Sequence, residues 1–516
     1  MKGKPTMQEK MSSPLQRMYF AAQRALRENL IPLLSALLFG LAAHMFVFSN
    51  KLMNADEVES LFGKGATITS GRWGLEAVKF IFPDLSMPWL YGIVSLLLLA
   101  VSACLIIRLF EIKSPLMQIL LSAMITAFPS QTGVFCFMFT STAYALSFML
   151  SVLCVWLFAK GGIVRKAGAI ICLVLSLSIY QAYVAITAAL FVLYLIKRCL
   201  DNEGSVWQNL AFAFRALGMM LLSLAVYYGI SLLVFSLSGA QFNDYVKDNV
   251  NEAGILGRIR MAYDFLFYTL SYREFALVSG EMSRYLHIIC LALCALLLMA
   301  KALVMVKEKK LLSAAFMLVC GCILPLAVYC MFLMMEKNSI HTLVLHGFIA
   351  FYVLAALLSD RLLAGSALLS RLGRDVLYLS FALVLMSNVF FANEAYLKLH
   401  LQYENAYSFY SILLDRVQSC EGYHEGTKLA IIGYQDNKLT RYPQIDLGYL
   451  MGPGQDLINI YSRENFLRRY MGTDIPLADE ETVAALEKSE EFMAMAEYPY
   501  YGSVKKIDDC IVVKLG

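Results

Sequence analysis

The chain of 516 residues is 59% hydrophobic and only 16% charged, with a mean hydropathy of +0.62. A water-soluble fold of this length cannot bury so much apolar side chain, so bilayer lipid must serve as solvent for most of it. The net charge of +4 is too small to point to nucleic acid. Nine of the twelve cysteines (Cys104, Cys136, Cys154, Cys172, Cys290, Cys294, Cys320, Cys322 and Cys330) lie in apolar runs, where they behave as small hydrophobes. No C-x-x-C and no His/Cys set with zinc-ligand spacing occurs, so no metal site is expected and no cofactor is implied. A divalent-metal requirement is left open.

In chain order, the basic N-terminal stretch (1–29) lacks a small-residue cleavage site after a short apolar core and reads as a retained, cytoplasmic signal anchor. Apolar segments follow near 30–49, 89–110, 115–129, 134–159, 167–180, 182–196, 216–238, 285–306, 311–335, 342–359 and 376–393. Most match the length needed to cross ~30 Å of hydrocarbon, while 115–129, 167–180 and 182–196 are short and read as tilted, broken or extended. Counting about eleven transmembrane segments puts the termini on opposite sides. Lys and Arg concentrate in alternate connections, at Arg108, Lys113, Lys160, Arg165, Lys166, Lys197, Arg198, Lys307, Lys309, Lys310, Arg361, Arg371 and Arg374. That bias places the N-terminus in the cytoplasm and puts the external loops 50–88 and 239–284, with everything after about 394, outside.

The expected fold is therefore a polytopic α-helical membrane domain over 30–393 and a small extracytoplasmic α/β domain over 394–516. In the latter, 402–420 reads as a helix and Lys428–Gly433 as a buried strand. Helical patterns follow near 455–470 and 480–495, and 503–515 reads as a hairpin. Cys420 and Cys510 are its only cysteines, and the location would permit a disulfide. The MGPG at 451–454 is a loop signal, too short for a phosphate-binding fingerprint.

Chemistry concentrates between Asn54 and Gly74. Asp56, Glu57, Glu59, Arg72 and Trp73 share one polar interval just beyond the first apolar segment. Glycosyl transfer at a membrane face needs a carboxylate to take a proton from an acceptor hydroxyl, and donors to stabilise a phosphate leaving group. Asp56 and Glu57 are the candidate carboxylates, and Arg72 offers planar, charge-assisted contacts to phosphate. Glu57 has a second reading as half of a capping box begun by Asn54. Glu59 reads as a solvated face, and Trp73 suits either sugar stacking or interfacial anchoring. Leu75, Val78 and Phe82 then recur at helical spacing, as in a short helix lying in the membrane surface.

Other groups on the same side are candidates for substrate binding. Tyr180 and Gln181 fall between two short apolar segments, at a mouth. Ser130 and Gln131 read as a plain turn. Arg258 and Arg260 are candidate phosphate contacts, with a solvated charge pair as the commoner reading. His341 and His346 are five apart and point to different helix faces, which argues against a metal. His44 reads most simply as a hydrogen-bonded helix residue.

The ordered set D-E at 56–57, G-R-W at 71–73, S-L-S-I-Y-Q at 176–181 and Y-P-Y-Y-G-S-V-K-K-I-D-D-C-I-V-V-K-L at 498–515 resembles the GT-C-type membrane glycosyltransferases, and among them the type II O-antigen glucosyltransferase (Gtr) family. The resemblance implies transfer of a hexose, often glucose, from a polyprenyl-phosphate sugar to a cell-surface glycan, by inverting displacement at the outer face of the cytoplasmic membrane. It maps the base onto Asp56, with Glu57 beside it. Two other classes compete: a lipid or polysaccharide transporter, and a non-catalytic envelope-assembly protein. A transporter calls for charged groups near mid-membrane, whereas the apolar segments here are almost free of them.

Overall fold

The computed structural model describes residues 14–59, 67–83, 86–241, 252–271, 281–335, 341–435, 447–452 and 454–516. Parts of the expected external loops 50–88 and 239–284 lie outside the described residues.

The chain is mainly helical. An amphipathic helix α1 (Pro14–Glu28) leads into α2 (Leu30–Ser49). A connection carrying two short helices, α3 (Ala55–Glu59) and α4 (Trp73–Val78), then reaches α5 (Pro88–Phe110). Next come α6 (Pro115–Thr126), α7 (Pro129–Phe135), α8 (Met138–Lys160), α9 (Ile163–Ile179), α10 (Val184–Leu200) and α11 (Val206–Ser238). The chain continues with α12 (Ile255–Ser271), a helix within the expected 239–284 loop, and then α13 (Glu281–Lys307), α14 (Leu311–Val328), α15 (Ile349–Leu362) and the 51-residue α16 (Leu368–Gln418).

Among the described residues eight helices are long and apolar enough to cross a membrane. The protein is a multi-pass helical membrane protein. Helices α6, α9 and α15 sit where three further segments were expected, but at 12, 17 and 14 residues each is shorter than a full crossing. Two expected segments are cut at one end because the chain turns: 311–335 is helical to Val328 and then folds into a 3-10 turn, and 342–359 begins with two such turns before α15. The outward faces of α11 and α13 expose leucines such as Leu217, Leu221, Leu233, Leu296 and Leu303, a surface that lipid solvates and water would not.

One end of the bundle is locked by ions. Arg361 donates to Asp201 at 2.6 Å, and the buried Lys197 pairs with both Asp201 (3.0 Å) and Glu203 (2.9 Å). Asp360 accepts the Lys113 and Ser114 backbone N–H groups at the start of α6. On α2, His44 bridges Tyr396 (2.7 Å) and the Thr126 carbonyl (2.9 Å), as a hydrogen-bonded helix residue should.

Helix α16 runs through the expected domain boundary at 393/394 without a break. At 1.5 Å per residue it is roughly 75 Å long, more than twice the hydrocarbon thickness, so its second half stands clear of the bundle. That half packs against a three-stranded sheet of order β1-β3-β2, made of β1 (Lys428–Ile432), β2 (Val504–Ile507) and β3 (Cys510–Lys514). Strand β1 pairs parallel to β3 with Lys428 opposite Cys510, and β2 and β3 form the expected hairpin. Around it lie α17 (Leu447–Met451), α18 (Ile460–Asn465), α19 (Glu480–Glu487) and α20 (Glu490–Met493). The helices expected over 455–470 and 480–495 are thus shorter and broken. Cys420 and Cys510 are both free thiols, so the disulfide that the sequence permitted is not formed.

The short helix expected from Leu75, Val78 and Phe82 is α4, which ends at Val78, about one turn earlier than that spacing suggested. Gly71 adopts a left-handed φ of 70° that turns the chain into Arg72 and Trp73. Gly74 then lies against α9 so closely that a Cβ would sit 2.9 Å from the Ser178 backbone. Gly74→Val should therefore push α4 off α9 at a cost of about 1–3 kcal/mol. A thermal melt of the purified protein checks this, and an unchanged melting temperature would show that the contact is loose.

Candidate active site

Helix α3 carries the acidic cluster and is too short to be stable alone. Asn54 caps it by accepting the Glu57 backbone N–H at 2.8 Å, while its amide donates to the Cys136 carbonyl at the end of α7 at 2.6 Å. Only the Asn54 half of the expected capping box is present, since the Glu57 side chain does not return to the helix start. The Glu57 carboxylate, however, is fully buried and ion-paired with Lys51, and its second oxygen has no hydrogen-bond partner. Glu57 faces protein, not an opening. Glu59 is not a solvated residue: Asn465 donates to its carboxylate and Arg469 donates to its carbonyl at 2.8 Å.

Asp56 differs from both. It is half-buried, and Gln455 donates to its Oδ2 at 3.2 Å. The Tyr461 hydroxyl also donates to it, and Arg72 lies within electrostatic reach. Burial raises the Asp56 carboxyl above its ordinary value, and the Gln455 bond, the Arg72 charge and the Tyr461 bond pull it part of the way back. Burial, together with the nearby Asp56 and Glu59 charges, pushes the Tyr461 phenol up to about 12, so it stays protonated as a donor.

Arg72 is presented by the Gly71 turn. Its guanidinium donates to the Tyr144 hydroxyl at 3.2 Å and lies 5.0 Å from the centre of the Tyr180 ring. Tyr144 and Tyr180 stack at 4.3 Å, a double aromatic floor beneath the cation. Gln181 donates to the Ser70 carbonyl (3.1 Å) and to the Tyr227 hydroxyl (2.9 Å), and Tyr227 donates to the Gly71 carbonyl (2.9 Å). The Trp73 indole donates to Ser231 on α11 at 3.1 Å, which gives it a fixed internal partner. The structure thus gathers Asp56, Arg72, Trp73, Tyr180 and Gln181 around the two short helices.

The remaining candidates are elsewhere. Arg258 spends its guanidinium on the Ala253 and Leu333 carbonyls, both at 2.7 Å. Arg260 is exposed and paired with Asp264 at 3.3 Å, the solvated pair that was the blander expectation. Ser130 and Gln131 are not a plain turn: they lie in α7, fully buried. Among the described residues no group of three or more His, Cys, Asp or Glu gathers to hold a metal.

Four contributors escaped the sequence reading. Tyr144 and Tyr227 are hidden in apolar helices, where a tyrosine is ordinarily core. Gln455 and Tyr461 are about four hundred positions from Asp56, and only the fold brings them there. A comparison with known families matches residues 45–358, more than half the chain, to the family described as Glucosyl transferase GtrII. No curated protein matches the chain. Asp56, Arg72, Tyr144, Tyr180, Gln181 and Tyr227 lie within the matched span; Gln455 and Tyr461 lie beyond it.

The two neighbouring carboxylates should respond oppositely to substitution. Below the ordinary carboxylate range Asp56 is neutral in both folded and unfolded chains and costs nothing. As pH rises through that range toward the raised folded value, the unfolded chain ionises first and stability falls. Asp56→Asn should therefore melt no lower than wild type at neutral pH, with its relative advantage growing as pH rises above the ordinary carboxylate range. Glu57→Gln should lose about 1–2 kcal/mol, a buried-pair loss discounted because Lys51 is partly exposed. Melting curves of both variants across that pH range check the contrast; a destabilised Asp56→Asn would make Asp56 an anchor instead.

Proposed function

The chain belongs to the GtrII glucosyl transferase family and is a membrane glucosyltransferase, and we propose that it moves glucose from a polyprenyl-phosphate donor to a cell-surface glycan with Asp56 as base. The observation that carries this reading is the pairing of unequal groups: a half-buried carboxylate of raised pKa, within electrostatic reach of a guanidinium held over two stacked tyrosines. A general base works best when its pKa is lifted toward the working pH. In the proposed step Asp56 takes the proton of an acceptor hydroxyl as its oxygen bonds to the anomeric carbon. The anomeric carbon–oxygen bond to phosphate breaks on the opposite face, which inverts the configuration. The departing phosphate is met by Arg72, whose planar charge suits two of its oxygens.

Glu57 takes no part in proton transfer in this scheme; it fixes α3 through Lys51. Trp73, Tyr180 and Gln181 shape the turn that carries Arg72. Arg258 and Arg260 fall outside it. No resident metal or cofactor enters the scheme.

We place the protein in the cytoplasmic membrane with its N-terminus inside and the site and the α/β region, taken as 394–516, outside. Eleven passes satisfy this arrangement if the short α6, α9 and α15 cross as tilted or partial spans. Support comes from the end of the bundle where Arg108 meets Glu28, Arg361 meets Asp201 and Lys310 meets Asn202: a face rich in Lys and Arg that lies next to α1. Family membership favours this enzyme reading over the transporter and assembly alternatives.

Purified protein supplied with polyprenyl-phosphate glucose and cell-envelope acceptor tests the reading. Asp56→Asn should insert and fold normally but lose transfer by roughly 10²–10⁴-fold. Transfer at wild-type rate would remove Asp56 from the role. Arg72→Lys keeps a charge but loses the planar fork, and should raise the KM for the lipid donor; an unchanged donor dependence would show that Arg72 does not touch phosphate.

A further inference from the structure

The carboxylate of Asp56 has two walls of different origin. One comes from the bundle and carries Arg72 over Tyr144 and Tyr180. The other is the stretch Gln455–Asn465, which reaches Asp56 through Gln455 and Tyr461. This second wall is rigid. Asn459 caps α18 by accepting the Ser462 backbone N–H at 2.7 Å, and Arg463 donates to the Ile431 (2.7 Å) and Gly433 (3.2 Å) carbonyls at the end of β1. Asn465 and Arg469 tie the same segment to Glu59 on α3.

On that fixed wall Tyr461 is 55% exposed and its neighbour Ile460 75% exposed, although the hydroxyl end of Tyr461 is spent on Asp56. A tyrosine pinned at its hydroxyl with its ring left open is an amphipathic platform that loses little entropy when a ligand covers it. Beside it, the Oε1 atom of Gln455 is buried without a hydrogen-bond partner while its amide nitrogen serves Asp56. An unpaired amide oxygen adjacent to a carboxylate suits the hydroxyls of a sugar ring, and burial without a partner is otherwise costly.

We propose that Gln455 and Tyr461 form the acceptor side of the site, where a sugar ring of the acceptor glycan rests on Tyr461 and presents its hydroxyl to Asp56. The inference rests on the glucosyl-transfer reading above and adds a division of labour. The bundle residues, inside the span shared with the family, hold the phosphate side. The C-terminal segment, beyond that span, receives the glycan.

Two substitutions at one position separate ring from hydroxyl. Tyr461→Ala should raise the KM for the glycan roughly tenfold, as loss of an aromatic anchor does, and leave the KM for polyprenyl-phosphate glucose near wild type. Tyr461→Phe keeps the ring and should keep the acceptor KM. It removes a bond that holds the Asp56 pKa down, so the acid limb of the kcat/KM profile should move to higher pH; Gln455→Leu should move it the same way. Equal rises in both KM values for Tyr461→Ala, or no rise in either, would overturn the proposal while leaving the donor reading intact. Binding is also measured without donor, by saturation transfer from the purified protein to surface polysaccharide isolated from the producing cells. Binding that Tyr461→Ala abolishes, in a protein that does not use polyprenyl-phosphate glucose, would support the acceptor wall and sink the donor reading. Binding that survives Tyr461→Ala would overturn the wall.

Discussion

A five-residue helix cannot hold a catalytic group by its own hydrogen bonds, and α3 makes barely one turn of them. The position of Asp56 is instead imposed from outside at each neighbouring residue. Asn54 ties the helix start to the end of α7, Glu57 is paired with Lys51, and Glu59 is held by Asn465 and Arg469. Met53 and Val58 are buried in the core shared by the C-terminal half of α16, the residues flanking α18 (Leu457, Ile458, Phe466 and Leu467) and the sheet. Leu52, one residue earlier, belongs to the core of the membrane bundle. The chain passes from one core to the other between Leu52 and Met53, and Asp56 sits on the seam. Everything in the candidate site depends on that double anchorage.

The seam also explains the electrostatics. Three acidic side chains within four residues would repel if all faced the same way. Here Glu57 is ion-paired with Lys51 and Glu59 is held by Asn465, while Asp56 meets Gln455 and Tyr461. Its environment combines a desolvating wall with one distant cation, one amide and one phenol, none of which forms a close ion pair. A tight salt bridge would have held the pKa low and made the group useless as a base at neutral pH. The penalty for ionising it falls on folding, where the anchors around it can carry the load.

The sequence made the membrane bundle readable because lipid selects for long apolar runs whose ends are set by length alone. It failed where protein, not lipid, set the helix bounds: α14 ends at Val328, α15 begins only after Phe348, and α16 runs on through 393/394. The apolar run stops at 393 although the helix continues, and Ala395, Tyr396 and Leu399 still pack into the bundle core. Asp56, Arg72, Tyr180 and Gln181 were legible since polar residues flanking apolar segments stand out. Gln131 is the opposite case: a polar residue between apolar segments reads as a turn, yet it lies in a buried helix. Glu57 and Glu59 could not be told from Asp56 by type or spacing, because what separates them is which partner each meets. No local pattern announces Gln455 or Tyr461, whose relation to Asp56 exists only through tertiary packing.

That non-local contact bears on how such a site can vary. The bundle wall is constrained twice, since Gly71, Gly74 and Gln181 must pack the Arg72 turn against α9 and α11 while presenting the cation. The C-terminal wall is constrained through its frame, by the Asn459 cap, the Arg463 clamp and the Asn465 tie, but the exposed ring of Tyr461 makes no packing demand of its own. Substitution at that ring would alter what the site accepts without disturbing the seam that holds Asp56. Under the proposed assignment the phosphate side is therefore bound to the fold, and the glycan side is free to follow the polymer it must recognise.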